Sequence, residues 1–227
     1  MAKSAALTRL FQLVSPMLPV GAYSYSQGLE WAIEYGDVHD EKTAKTWIGD
    51  VLQIYQANFE LPVLYRMYTA WQSDDQDAIL TWDMFYQAGR DTAEALAETR
   101  QMGYSLCRLL NDINTLPADV MSKINQLEQP AFITIYAGVA HCWQISAKDA
   151  LHGYVWSWLE NQVSAAMKAV PLGQVAGQKI LYALGEQLSS IVEQAVHIKD
   201  DEISNFNPLL SIAGCQHETQ YSRLFRS

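Results

Sequence analysis

The sequence predicts an all-α fold: a single-domain multi-helix bundle over residues 1–227, with about 9–10 helices and no significant β-sheet. Apolar residues recur at helical spacing from end to end, and the strict alternation of a half-buried strand is scarce. With 49% apolar and 18% charged residues the chain has the composition of an ordinary globular protein. No internal repeat, low-complexity tract or Gly/Ser linker marks a domain boundary.

Taken in order, the first helix is expected at 4–14. Pro16 and Pro19 then fix backbone φ and hold an extended turn, while Gly21 and Gly28 permit close backbone approach around a helix at 22–35. On that helix Tyr23, Gln27 and Glu30 fall near one face with Ser26 beside them, and Tyr25, Leu29, Trp31 and Ile33 form a face to pack inward. Helices follow at 41–57, 61–72 and 75–88, with Pro62 marking a kink or break. From Arg90 to Asn111, Ala93, Leu96, Gly103, Leu106 and Leu110 share a face, and Glu94, Glu98, Gln101 and Arg108 point elsewhere. Further helices are expected at 117–127 and 131–143.

Ser146 suits an N-cap, with Asp149 completing a weak capping box, and Pro171 ends the helix that starts there. Its thick stripe of Leu151, Tyr154, Val155, Trp158, Leu159 and Ala166 fits the middle of a bundle. The short Val170–Gly173 connection implies an antiparallel neighbour from Gly173 to about Val196, built on Leu181, Leu184, Leu188 and Ile191. Lys199–Pro208 collects turn residues, and the tail at about 205–227 reads as a partner-binding segment that orders on binding.

A net charge of -10 opposes nucleic-acid binding, which needs clustered cations. Cys107, Cys142 and Cys215 form no framework pattern and fit reduced cytoplasmic thiols. The apolar stretch from Ala131 to Trp143 is shorter than the roughly 20 residues of a membrane span, and Arg9 and Gln12 interrupt the N-terminal apolar residues before a signal-peptide core can form. His217-Glu-Thr-Gln-Tyr221 starts like a zinc-protease motif but has Tyr221 in place of the second histidine. Gly173-Gln-Val-Ala-Gly177-Gln-Lys179 lacks the spacing and hydroxyl of a phosphate loop. The adjacent His141 and Cys142 point about 100° apart on a helix and do not naturally chelate one ion. His141 and His217, with carboxylate clusters such as Asp74-Asp75 and Asp200-Asp201-Glu202, motivate one competing reading, a helical metal-dependent hydrolase using His and carboxylate ligands.

More specific segments are Ser15-Pro-Met-Leu-Pro-Val-Gly21, Tyr23-Ser-Tyr-Ser-Gln-Gly-Leu-Glu30, Arg90-Asp-Thr-Ala-Glu94 with Glu98-Thr-Arg-Gln-Met-Gly103, Lys168-Ala-Val-Pro-Leu-Gly-Gln174, and the tail from His217 to Ser227. In combination they resemble the UreF family of urease accessory proteins over nearly the whole chain. Two departures are Ala22-Tyr23, where Gly-Phe or Gly-Tyr is expected, and Cys215, which matches no family feature. The resemblance implies a cytoplasmic, homodimeric, non-enzymatic adaptor for nickel insertion into urease. It implies binding to UreD/UreH, recruitment and regulation of the GTPase UreG, and docking on apo-urease. Nickel is then handled by the complex, with no cofactor bound stably. By residue, it implies that Ser26, Gln27, Glu30, Lys168 and Gln174 form a face for UreG. It further implies that His217, Glu218, Tyr221, Arg223, Leu224 and Arg226 contact UreD/UreH.

Overall fold

The computed structural model describes residues 2–227, with side chains from Ser4 onward, and no strand occurs among the described residues. The order is α1 (Ala2–Leu13), α2 (Leu29–Tyr35), α3 (Glu41–Val51), a π-helical segment (Leu52–Glu60), α4 (Leu61–Gln72), α5 (Gln76–Ala88) and α6 (Ala93–Ile113). There follow α7 (Ala118–Asn125), α8 (Phe132–Cys142), α9 (Ala147–Ala169), α10 (Gln174–Gly185), α11 (Leu188–His197) and α12 (Pro208–His217). The all-α expectation is met. No helix among the described residues is long and apolar enough to cross a membrane.

Side-chain caps start most of the long helices by accepting a bond from an otherwise unpaired first-turn amide. Asp40 takes Thr43 N, Asp75 takes Ala78 N, Thr92 takes Ala95 N and Ser146 takes Asp149 N. The centre of the bundle is α8, whose residues Ile133 to Ala140 are all buried. A helix apolar on every side has to be enclosed. Accordingly α4 and α6 pack against it, with α9 crossing α4 and α8. Close approach depends on two glycines. A Cβ at Gly103 would meet the backbone of Pro130–Phe132, and one at Gly138 would sit 2.8 Å from the Trp71 ring.

Four expectations need correction. Pro62 does not break its helix: α3, the π-helical segment and α4 form one continuous rod, with Leu61 N–H donating five residues back to Gln56 O. A proline in the first turn of α4 removes an amide where the hydrogen-bond ladder has already changed step. The helix expected at 22–35 is a 3₁₀ turn (Ala22–Ser24) followed by α2, because Gln27 (φ 53°) and Gly28 (φ 81°) adopt left-handed backbone. The helix expected from 173 to 196 bends at Glu186–Gln187, although Leu184 and Leu188 stay buried on both sides of the bend, so the apolar period runs through it. Finally, the tail is ordered here without a partner. It contains α12, capped by Asn207, and its last residue, Ser227, is buried.

Candidate partner-binding site

Residues 217–227 are seated by three carboxylates that rise from α2 and α6. Glu30, in the first turn of α2, is 8% exposed. Its Oε1 accepts Leu224 N at 2.6 Å, and its Oε2 accepts Phe225 N at 2.9 Å and lies 3.2 Å from His217 Nε2. Glu94 Oε2 lies 2.8 Å from His217 Nδ1, and its Oε1 pairs with Arg223. Glu98 Oε2 accepts the Ser227 hydroxyl at 2.9 Å. In return Glu218 Oε1 accepts Glu94 N at 3.1 Å, so the tail fills one of the open amide positions at the start of α6, where negative charge is favoured.

The left-handed pair Gln27–Gly28 turns the backbone toward the tail. Ser26 N and Gln27 N donate to Ser227 O at 2.5 and 2.9 Å, and the Ser26 hydroxyl donates to the same oxygen at 2.7 Å. Gln27 itself points inward, donating to Glu98 Oε1 at 2.7 Å and accepting Trp158 Nε1 at 2.7 Å. Gly28 is required twice over. Its φ is left-handed, and a Cβ there would press on Ala213 Cβ at 3.0 Å, separating α12 from α2. Phe225 completes the seat, 6% exposed, with the Lys168 ammonium 5.7 Å from its ring centre.

Beneath the tail lies a buried ion pair. Arg90 Nη1 meets Glu60 Oε1 at 2.5 Å and also donates to Tyr55 and Tyr86 hydroxyls at 3.0 and 2.9 Å. Tyr154 donates to Glu60 Oε2 at 2.6 Å. Two small cavities of about 60 and 50 Å³ adjoin here and share Gln27, Arg90 and Glu98 in their walls. Burial raises the Glu98 carboxyl above the usual range, and Arg90 together with the Gln27 and Ser227 hydrogen bonds only partly offsets this. Burial likewise pushes the Tyr86 and Tyr154 hydroxyls well up, reinforced by the Glu60 charge. They remain neutral donors.

The two carboxylates at His217 sit on opposite ring nitrogens and do not converge on one point, so they clamp the ring and offer no shared ligand position. Among the described residues no group of three or more His, Cys, Asp or Glu is placed to hold a metal ion. His141 packs edge-on against Tyr68. The hydrolase reading gains no support from these positions.

A model of the UreF family matches residues 38–185. The urease accessory protein UreF of Methylobacillus flagellatus is 62% identical over 227 residues, covering 100% of both chains. The proteins of the same name from an Azoarcus species and from Dechloromonas aromatica are 50% and 47% identical, covering 97% of this chain and 95% and 97% of theirs. The chain belongs to the UreF family.

Of the residues that the UreF resemblance singled out, the structure brings most into one patch. Ser26 and Glu30 are buried under the tail, which occupies their polar side-chain groups, and Gln27 is half-buried beside them with its side chain held by Glu98 and Trp158. Tyr23, expected on their face, stands 65% exposed on the 3₁₀ turn. Lys168, in the last turn of α9, is exposed beside Phe225, and Gln174, the first residue of α10, is exposed but has no contact with the tail among the described residues. His217 is fully buried, while Glu218, Arg223 and Arg226 are exposed. Tyr221 and Leu224 stand out at 104% and 63%.

Glu60, Arg90, Glu94 and Glu98 were missed as site residues. Glu94 and Glu98 were expected to point away from the core, yet Glu98 is buried and Glu94 half-buried, because α12 and the tail cover that side of α6. The available signal was the Arg90–Gly103 segment itself, which carries three of the four.

Proposed function

We propose that this chain is a non-enzymatic adaptor in nickel insertion into urease, acting by presenting its seated C-terminal tail to other proteins. The observation that carries this reading is the tail's division of labour. His217, Phe225 and Ser227 are buried against Glu30, Glu94, Glu98 and Lys168, and that anchorage holds Tyr221 and Leu224 out to solvent. Large exposed aromatic and aliphatic side chains beside Arg223 and Arg226 have the make-up of an interface hot spot. UreD/UreH is the partner assigned to this tail surface. Lys168, beside the tail, and Gln174 are assigned to UreG, with Ser26, Gln27 and Glu30 supporting the Lys168 side from beneath through the tail. Apo-urease and nickel are engaged by the assembled complex, and the chain acts as a homodimer in the cytoplasm.

The test is to mix the chain with UreD/UreH, UreG, nickel and GTP, following assembly by light scattering on a sizing column and activation of apo-urease in the same samples. The double variant Tyr221→Ala/Leu224→Ala removes exposed side chains and leaves the buried anchors in place. It is expected to lose the UreD/UreH complex while melting like the parent chain. Undiminished complex formation by this variant rejects the tail as the contact surface.

A further inference from the structure

Between the turn that follows α1 and the C-terminal half of α9 lies a pocket of about 280 Å³, bordered by α10. Its walls are mostly apolar, with Leu18 and Val20 from the turn, Val163 and Met167 from α9, and Leu181 from α10. Tyr23 also lines it and is largely exposed, and Met17, between the wall residues Pro16 and Leu18, is 90% exposed. Among the described residues Glu160 is the one charged side chain in the lining.

Glu160 differs from the other carboxylates of this acidic chain. Burial raises its carboxyl above the usual range, and no cation or hydrogen bond offsets this. Glu98 is also raised by burial, but Arg90, Gln27 and Ser227 work against the shift there. Lys168 lies eight residues further along α9, or about 12 Å at 1.5 Å per residue, and its ammonium stands over the Phe225 ring.

Any partner that covers the pocket takes more water from Glu160. An apolar occupant would leave the carboxylate buried and unpaired, a second carboxylate would repel it, and a metal ion would find one charged ligand where it needs several. A cation on an apolar stem suits both halves of the pocket. Its stem lies along the walls, and its head meets Glu160, with the Ser157 and Ser164 hydroxyls three residues before and four after it on the same helix face as further acceptors. An α-helix, about 10 Å across, does not enter a pocket of this size.

We propose that this pocket receives a lysine or arginine side chain of a partner protein, with its stem against Leu18, Met167 and Leu181 and its head paired with Glu160. The proposal rests on the adaptor reading and deepens it. Ser164 is one turn before Lys168 on α9 and Gln178 is one turn after Gln174 on α10, so the pocket lies next to both residues assigned to UreG. The basic side chain is therefore one of UreG's.

The test uses the whole chain carrying Glu160→Gln, which removes the charge and keeps the shape, titrated against UreG by interferometry at two salt concentrations, with UreD/UreH as the comparison. The Kd for UreG is expected to rise at least about tenfold with a flatter salt dependence, while that for UreD/UreH stays at the parent's value. Glu160→Lys should lose more, and Glu160→Asp, which keeps the charge, should lose less. Because no group among the described residues offsets the burial of this carboxyl, Glu160→Gln should melt no lower than the parent, which separates lost recognition from lost folding. Should Glu160→Lys fold poorly, Glu160→Gln alone decides. Unchanged affinity for UreG overturns the inference, as does an equal loss for both partners or a loss confined to homodimer formation. If the parent chain binds no UreG, the adaptor reading of this face fails and takes the inference with it. If the parent and Glu160→Gln chains bind UreG alike, the face stands and the pocket alone is rejected.

Discussion

Replacing Glu30 with glutamine should release the tail without unfolding the bundle. The carboxylate takes three donors: the adjacent amides of Leu224 and Phe225 at 2.6 and 2.9 Å, and His217 Nε2 at 3.2 Å. Hydrogen bonds to a charged acceptor contribute about 1.5–3 kcal/mol each, and neutral ones about 1 kcal/mol. Glutamine keeps one acceptor oxygen and turns an NH₂ toward at least one N–H. One charge-assisted bond is therefore lost and the survivors fall to neutral strength. The sum is a weakening of about 3 kcal/mol, or about 150-fold in the docking equilibrium. Trypsin reads this directly, since Arg223 and Arg226 lie in the seated segment and Arg223 is tied to Glu94. When reclosing outpaces cutting, the cleavage rate follows the open population. Cleavage after Arg223 should accelerate by about two orders of magnitude, with faster hydrogen exchange at Leu224 and Phe225. Parent-like cleavage and exchange in a folded Glu30→Gln chain would refute this account of the seat.

Other outcomes follow from the same geometry. Arg90→Met leaves Glu60 buried at 1% exposure without its cation, and should cost about 3–5 kcal/mol in chemical denaturation, whereas Arg90→Met combined with Glu60→Leu should recover much of that loss. Glu98 carries a raised folded-state pKa, so its penalty is absent while both folded and unfolded forms are protonated, below about pH 4.3, and grows as pH rises through the raised value. Melting of Glu98→Gln should therefore gain on the parent as pH increases over that window; a constant difference between the two curves would contradict the assignment. Gly103→Ala forces a methyl against the backbone at Ala131, 3.1 Å from its carbonyl carbon, and should cost about 1–3 kcal/mol by separating α6 from α8. An unchanged denaturation midpoint would show that the helices have room to part.

Local signals made much of the fold legible. Ser146 caps α9 as its hydroxyl suggests, and the helix stops at Ala169 with Val170 extended before Pro171. The inward stripe of Leu151, Val155, Trp158 and Leu159 is buried as its spacing implies. Where reading failed, the deciding partner was distant in sequence. Glu98 looks like a solvated residue on the polar side of α6 until Ser227, 129 positions later, covers it. Gln27 and Gly28 look like part of a helix because local pattern carries no information about Trp158, which draws the Gln27 side chain inward from 131 positions away. The tail illustrates the same point. His217 gives no hint in its own neighbourhood that Glu30 and Glu94 stand on either side of it. Within the tail, the Tyr and Arg content does not distinguish one residue's role from another's; burial does, separating the anchors His217, Phe225 and Ser227 from the side chains left exposed.

The wide helical turns between α3 and α4 have a consequence for how the chain tolerates change in length. An α-helix rotates its side chains by about 100° per residue, so any uninterrupted rod presents one continuous pattern of facing directions. Here the π-helical residues act as a phase shifter. Upstream, α3 packs on α10 and α9; downstream, α4 packs on α8 and α11, and Tyr55 and Glu60 from the segment between them both meet Arg90. The rod thus holds two sequence patterns that are each regular and mutually out of step. A one-residue deletion within Leu52–Glu60 is the change to which it is most sensitive: it would bring the halves into step, leave every individual helix well formed, and turn the buried cation's partner away from it.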